Sequence, residues 1–364
     1  MSRIHQATID RSTEKSGDEI TIDSVHSANA IIMAVERALR RAIMEVWKEC
    51  RRIGILDEIA ALAEDHGIIM LEDSIIKRMP QVKPLGILKG RNIVGVDGGV
   101  FSLKLYPFRI IVARSGVYSF PMRDYAGFGV RNIWRFILSV LRSRGRIEEQ
   151  LRKKMREVLF YVESTTVREI AEEYGSAIDV VFWDGPMYTR RHLRKQYSTI
   201  KSLSDRAIMC IRVVKNPFSS RLLKGTKMDS LTDADVLSYY LRPNMRTSMF
   251  LLDNRFVRGI PRDLKPVFFY VKTDLRVLLR YEFPYWMLEE YGIDDILNII
   301  AADLAMGNGF SYVVGRADFI ARFSEDERRY IAFKIFRMLR ENGFPDFLTF
   351  NQRRWGKFLN VWSQ

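Results

Sequence analysis

The stretch Ile178-Asp179-Val180-Val181-Phe182-Trp183-Asp184-Gly185-Pro186 decides how the rest of the chain is interpreted. It is strongly apolar up to Trp183, which is typical of a strand buried on both faces at the centre of a sheet. Asp184 ends this run, so a carboxylate lies at the tip of a rigid core strand. Gly185 follows, and a glycine there lets a bulky anion approach the backbone. The stretch therefore predicts a central strand that presents an acid to a ligand.

A second acid occurs in the same setting. In Val96-Asp97-Gly98-Gly99, the aspartate comes directly after an earlier apolar run, at 92–96. Two carboxylates on adjacent strands would repel each other and raise a pKa unless a cation lies between them. Mn²⁺ or Mg²⁺ is the natural cation, since both accept hard oxygen ligands. Two such ions about 4 Å apart can activate water and stabilise the leaving oxygen of a phosphodiester.

The order of the predicted elements adds information. Strand-like runs at 92–96, 100–106 and 109–114 suggest an antiparallel meander, with Pro107 in a tight turn. Residues 131–141 have a helical pattern, and a longer helix is predicted over 147–174. A meander bearing an aspartate, then a helix, then a strand ending in aspartate is the order of a ribonuclease-H-like core, an α/β mixed sheet flanked by helices. Such a core takes a third acid from its helix, and Glu163, beside the apolar stripe, is preferred over Glu169.

Further elements surround this core. Residues 24–64 have helical periodicity and many arginines, and Pro80 to Gly95 has the composition of a linker. We therefore expect an N-terminal helical arm or dimerisation segment over 1–85 and a second domain, built on this core, over 86–364. The C-terminal half contributes α+β elaborations, with strands predicted at 208–214, 247–252, 267–272 and 277–283 and helices at 293–305 and 325–342.

The chain resembles the NurA family of DNA nucleases. The resemblance rests on Val96-Asp97-Gly98, the acidic helix with Glu163 and Phe182–Pro186, in that order. It continues through Val213-Val214-Lys215, Phe269–Lys272, Leu279–Pro284 and Gly309–Tyr312. It implies a ribonuclease-H-like fold, Mn²⁺-dependent resection of DNA 5′ ends, a homodimer and partnership with a HerA-type hexameric translocase. It places Asp97, Glu163 and Asp184 in the metal site.

Two positions depart from the family pattern. The family usually has Asp-Gly-Ser at the first motif, where this chain has Gly99. It also tends to have a histidine late in the domain, where this chain has Asp318. Asp318 could replace that histidine as a ligand, because a carboxylate is an acceptable Mn²⁺ donor. The bland interpretation is a surface aspartate, which leaves open a catalytically impaired nucleic-acid-binding scaffold.

Several basic residues are candidates for contact with phosphate. Lys215 follows an apolar strand and could stabilise developing charge in catalysis. The segment 188–197 comes directly after the second Asp-Gly step and mixes cations with aromatic residues. Arg280 alternates with Glu282 on a predicted strand, as a channel wall or as an ion pair. The predicted nucleic-acid-binding residues are Arg190, Arg191, Arg194, Lys195 and Arg280.

Composition agrees with these interpretations. The 364 residues carry 58 Lys and Arg against 44 Asp and Glu, a net charge of +14, which favours an acidic partner such as nucleic acid. Two cysteines and four scattered histidines argue against a zinc module. No apolar run reaches the roughly 18–20 residues of a membrane span, so we expect a cytoplasmic protein. Residues 93–99 also resemble the phosphate loop of actin-like sugar kinases, but no later Gly-Gly adenosine motif follows.

Overall fold

The computed structural model describes residues 28–52, 54–105, 108–120, 132–142 and 147–343. Within these ranges the helices are α1 (Ala28–Arg52), α2 (Ile55–Leu62), α3 (Pro84–Leu88), α4 (Ile147–Tyr174), α5 (Leu193–Ser204), α6 (Asp233–Tyr240), α7 (Trp286–Met306), α8 (Tyr312–Ala321) and α9 (Glu325–Glu341). The strands are β1 (Ile68–Met70), β2 (Ile76–Arg78), β3 (Ile93–Leu105), β4 (Phe108–Phe120), β5 (Asn132–Arg142), β6 (Val180–Asp184), β7 (Met209–Val214), β8 (Met245–Thr247), β9 (Phe250–Leu252), β10 (Pro266–Lys272) and β11 (Leu278–Pro284).

The chain divides into two compact units, residues 1–53 and 54–364. Of the first unit, the structure describes α1, whose Val35, Leu39 and Ile43 recur every four residues and are exposed. In the second unit, β1 pairs with β9 and β2 with β8, so residues 68–78 belong to the sheet of that unit. A dimerisation role for the N-terminal arm stays a prediction.

One mixed sheet organises the second unit. Its main strand order is β1-β9-β10-β11-β7-β6-β3-β4-β5, and β2 and β8 pair beside β10. The centre is parallel, because β6 pairs in parallel with both β3 and β7, and the other pairings are antiparallel. The antiparallel β3-β4-β5 meander, helix α4 and parallel strand β6 follow one another along the chain, as expected for a ribonuclease-H-like fold.

Both faces of the sheet are covered. Val158 and Val162 of α4 pack against Ile111 and Ala113 of β4 on one face. On the other face, α7 and α8 pack with the central strands in a larger apolar core. Because neighbouring residues of a strand point to opposite faces, consecutive residues of β3 meet different helices. None of the helices that the structure describes is long and apolar enough to cross a membrane.

Two expectations about the meander are corrected. The runs 92–96 and 100–106 are not separate strands, since β3 is continuous from Ile93 to Leu105 and pairs with β4 along its whole length. Residues 131–141 are not a helix, because Asn132–Arg142 form β5, antiparallel to β4. This segment is rich in residues that favour strands, and pairing with the long β4 overrides its local helical periodicity. The predicted turn at Pro107 lies outside the described residues.

Candidate active site

Asp97 and Asp184 meet where the parallel centre of the sheet opens. The parallel pairing of β3 with β6 ends at Val96 and Trp183, so each aspartate is the next residue of its strand. The sequence suggests that Asp97 follows the end of a strand, and this prediction is wrong. Asp97 lies within β3, at the point where that strand loses its β6 neighbour. Asp97 is 3% exposed, and its Oδ1 accepts a hydrogen bond from the Gly98 amide at 2.6 Å.

Lys215 lies between the two aspartates. It follows β7, the next parallel strand, and its Nζ is 2.5 Å from Asp97 Oδ2 and 3.4 Å from Asp184 Oδ1. The two carboxylate oxygens are no further apart than the sum of these distances. Two acids more than roughly 8 Å apart could not both bind a pair of metal ions with a spacing of about 4 Å. The separation between Asp97 and Asp184 is below that limit. The predicted catalytic residues Asp97, Asp184 and Lys215 are thus brought together.

Glu163 comes from α4, on the opposite face of the sheet from α8. A Cβ atom at residue 98 would lie 2.5 Å from Glu163 Oε1, so the glycine at this position lets the glutamate reach β3. Glu163 Oε2 accepts a hydrogen bond of 3.0 Å from the indole Nε1 of Trp183. Glu163 is 6% exposed and lies near Asp97 and Asp184, whose charges act on it. The alternative, Glu169, lies six residues further along α4 and is half-buried.

Asp318 is carried to the site by α8, which lies unusually close to the sheet. A Cβ atom on Gly99 would come within 1.9 Å of the Ala321 carbonyl oxygen, and one on Gly116 within 2.4 Å of the Ala317 carbonyl oxygen. Gly99 therefore makes room for α8, which explains why a serine is absent at that position. The Asp318 carboxylate accepts a hydrogen bond from Arg322 at 2.7 Å, and its charge acts on Asp97, Asp184 and Lys215.

The site concentrates negative charge in a buried place. Burial, and next the Asp184 charge, raise the pKa of Asp97 to about 7, although Lys215 opposes the change. Burial and the charges of Asp97 and Asp184 raise the pKa of Glu163 to about 8 against the hydrogen bond from Trp183. Burial also raises the pKa of Asp184. For Lys215, burial favours the neutral form, but the Asp97 and Asp184 charges outweigh it and raise the pKa. Such raised carboxyl pKa values mark a site that calls for a cation.

The donor atoms fit a divalent cation in part. Asp184 Oδ1 is buried and, apart from its 3.4 Å contact with Lys215, has no hydrogen-bond partner among the described residues; it faces the same space as Asp97 Oδ2. Oxygen donors of this kind suit Mn²⁺ and Mg²⁺. Among the described residues, however, no three His, Cys, Asp or Glu side chains converge closely enough to hold an ion. The two aspartates are therefore already close together. Binding of a divalent cation by three or more side chains would require side chains to move, beginning with Lys215, which lies between the aspartates.

A cavity of about 310 Å³ adjoins the pair on the α8 face. The charged side chains that line it are Lys215 and Asp318, and the other lining side chains are mainly aliphatic or aromatic. The lining residues are Val213, Lys215, Leu279, Phe310, Ser311, Gly315 and Asp318.

The predicted basic contacts divide into two groups. Arg190, Arg191 and Arg194 are exposed on the segment that follows Asp184. Lys195, in the same segment, places its Nζ 3.2 Å from the ring centroid of Tyr161. In contrast, the prediction that Arg280 contacts nucleic acid is corrected. Its side chain is 5% exposed and forms an ion pair of 2.8 Å with Glu282 on the same strand.

One aromatic residue of the basic segment is also inaccessible. Tyr188 is 2% exposed and donates a hydrogen bond of 3.0 Å to the Leu264 carbonyl, so it cannot stack on a base. Two residues that contribute to the site were not predicted as site residues: Trp183, which donates a hydrogen bond to Glu163, and Arg212, which lies over the Trp183 ring. A large aromatic residue directly before the acid was the available signal for Trp183.

The sheet order and the acidic pair at its parallel centre define a ribonuclease-H-like protein. A model of the NurA domain matches residues 91–323, more than half of the chain. The chain belongs to the NurA family. No curated protein is similar enough in sequence to count as a match.

Solved structures agree with the fold. The crystal structure of the NurA nuclease from Sulfolobus solfataricus matches with a TM-score of 0.53 and 12% identity, covering 88% of this chain and 99% of that one. A second NurA crystal structure matches with a TM-score of 0.52 and 10% identity, covering 86% and 97%. A structure of NurA bound to dAMP and manganese has a TM-score of 0.48 and 9% identity, covering 83% and 95%.

Proposed function

We propose that this chain is a metal-dependent deoxyribonuclease that hydrolyses phosphodiester bonds. The observation that carries the proposal is the pair formed by the buried Asp97 and the half-buried Asp184 at the open end of the parallel strands, with its raised carboxyl pKa values. Membership in the NurA family supports it independently. The net charge of +14 suits a polyanionic substrate.

In this proposal Asp97 and Asp184 hold Mn²⁺ or Mg²⁺, with Glu163 as a third ligand and Asp318 as a fourth. Such ions, two in our proposal, would activate water and stabilise the leaving oxygen of the scissile phosphodiester. Lys215 projects into the same space and would neutralise charge that develops on the phosphate. Arg190, Arg191, Arg194 and Lys195 would hold the nucleic-acid backbone beside the site.

The finer assignments belong to the same proposal. We propose that the enzyme resects DNA 5′ ends in repair or recombination, as a homodimer in the cytoplasm and together with a HerA-type hexameric translocase. The resection, the homodimer and the translocase follow from the resemblance to the NurA family, and the location is the expectation drawn from the sequence.

A second candidate is a nucleic-acid-binding scaffold of the same fold that does not cleave. It is favoured by the position of Lys215 between the two aspartates and by the lack, among the side chains described, of three convergent ligands.

Digestion of DNA labelled at either its 5′ or its 3′ end, over a range of Mn²⁺ concentrations, distinguishes the two candidates. The nuclease proposal expects cleavage by the wild type and its loss in Asp97→Asn and Asp184→Asn, both of which should still bind DNA. Asp229→Asn, which changes an exposed aspartate of the same unit, is the matched control and should cleave normally. DNA binding without cleavage by the wild type at every Mn²⁺ concentration would favour the scaffold. The two label positions report the polarity.

A further inference from the structure

Trp183 connects the core of the sheet to the acid that comes from the helix. Its side chain is fully buried, and its indole N–H donates to Glu163 Oε2 at 3.0 Å. The other oxygen of that carboxylate, Oε1, lies over Gly98, next to Asp97. Trp183 thus holds one Glu163 oxygen, Oε2, and leaves the other, Oε1, on the side of Gly98.

Arg212 completes the arrangement from the neighbouring strand. It is the register partner of Trp183 across β6 and β7, and its guanidinium carbon lies 3.5 Å from the centroid of the Trp183 ring. Its Nε donates to the Gly185 carbonyl at 2.9 Å and its Nη2 to the Asp184 carbonyl at 2.5 Å. The same side chain therefore contacts the Trp183 ring and fixes the backbone that carries Asp184.

We propose that Trp183 and Arg212 are positioning residues, which together orient Glu163 and Asp184 for metal binding. The inference rests on the proposed function. A glutamate on a helix retains several rotatable bonds, and a bond from a buried donor restricts them. Interactions that orient a ligand in this way commonly contribute tenfold or more to metal affinity.

Filling space alone would not need the indole N–H, because phenylalanine also fills an apolar site. The nitrogen of Trp183 instead bonds one of the four acids proposed as ligands, Glu163. The carbonyls bonded by Arg212 belong to another of those acids and to the residue after it. Both contacts are directed at the acidic centre, which a role in packing alone does not explain.

Calorimetric titration of the full-length protein with MnCl₂ tests the inference. Trp183→Phe keeps an aromatic ring but removes the N–H, and we expect it to weaken Mn²⁺ binding about tenfold. In a Glu163→Ala background the same substitution should cause no further loss, because the bond it removes is already absent. Arg212→Lys keeps the charge but cannot bond both carbonyls while lying on the ring, and it should also weaken binding. Trp286→Phe is the matched control, since the Trp286 N–H has no hydrogen-bond partner among the described residues.

A substitution at residue 98 disturbs the position of Glu163 without changing Trp183, so it does not depend on the folding of the Trp183 variant. Gly98→Ala places a methyl group against Glu163 Oε1 and should weaken Mn²⁺ binding in the wild-type background only. Melting temperatures in EDTA identify any variant that is merely unstable. Equal Mn²⁺ affinity of the wild type, Trp183→Phe and Gly98→Ala would overturn the positioning role but leave the nuclease proposal intact. A wild type that binds no Mn²⁺ would overturn both.

Discussion

Lys215 places its ammonium nitrogen 2.5 Å from the Oδ2 atom of Asp97, a carboxylate that is 95% shielded from solvent. The same nitrogen is 3.4 Å from Asp184. One lysine thus contacts both of the acids that the fold brings together, in the space that we assign to a divalent cation. The metal-free site depends on this internal cation.

Replacing Lys215 should lower the free energy of unfolding only while metal is absent. Lys215→Met leaves the two carboxylates facing each other, and we expect the free energy of unfolding in EDTA to fall by roughly 1–3 kcal/mol. This is less than the ~3–5 kcal/mol for a fully buried pair, because Lys215 is partly exposed. Saturating Mn²⁺ should recover much of the loss. The measurement is urea unfolding with and without Mn²⁺, with the exposed Lys224→Met as control. Equal stability of both variants in EDTA would contradict the role given to Lys215.

Restoring the residue usual in the family should damage this protein. Gly99→Ser adds a Cβ atom that would lie 1.9 Å from the Ala321 carbonyl oxygen, so α8 must move away from the sheet. We expect a loss of about 1–3 kcal/mol in the free energy of unfolding, as for overpacked interiors. Because α8 carries Asp318, Mn²⁺ affinity should fall too. Thermal unfolding and calorimetry measure these effects. Gly259→Ser, at a site where a Cβ meets nothing within 4 Å, is the control. An unchanged melting temperature in Gly99→Ser would refute the close approach of α8.

The exposed arginines after Asp184 should contribute to DNA affinity through charge. Replacing Arg190, Arg191 and Arg194 by serine removes up to three phosphate contacts, and each contact contributes about 0.9 to the slope of log K against log salt for duplex DNA. We therefore expect weaker binding and a slope reduced by up to about 3, with little sequence dependence. Fluorescence anisotropy over a salt series measures it. In Arg280→Lys, which alters a buried ion pair, the salt slope should stay unchanged. A wild-type slope in the triple variant would remove these arginines from the interface.

The raised carboxyl pKa values give the metal-free protein a definite pH dependence. Asp97 and Glu163, with pKa values of about 7 and 8, remain protonated in the folded state at pH values where the unfolded chain has released those protons. Stability in EDTA should therefore fall as pH rises from 6 to 8.5, because the folded state binds more protons. Glu163→Gln should flatten the profile. Mn²⁺ affinity should rise over the same range, since the metal displaces protons. Stability that rises with pH in EDTA would contradict the assigned pKa shifts.

Much of the core was predictable because its signals are local. Helix α4 has the bounds predicted for it, 147–174, since a long amphipathic repeat is hard to mistake. The apolar run before Asp184 is β6, buried as expected. The failure at β5 has the opposite origin. Its strand state depends on pairing with β4, a contact between distant segments that no local periodicity encodes.

The site was predictable in its acids but not in what surrounds them. Asp97 and Asp184 stand out because each comes directly after an apolar run in the sequence. The burial of Arg280 depends on Glu282 and on the strands around it, and sequence alternation could not distinguish an ion pair from a channel wall. In the sequence, Gly99 is a departure from the family pattern. In the structure, it provides room for α8, a helix more than 200 residues further along the chain.

Anomalous diffraction from crystals of the wild-type protein soaked in MnCl₂ shows whether Asp97 and Asp184 together hold a catalytic metal ion. We expect a manganese peak about 2 Å from carboxylate oxygens of both residues, with Lys215 Nζ displaced from its place between them. The peak should be absent in Asp97→Asn crystals. Soaked wild-type crystals without manganese between these two carboxylates, or with manganese bound only elsewhere, would contradict this expectation.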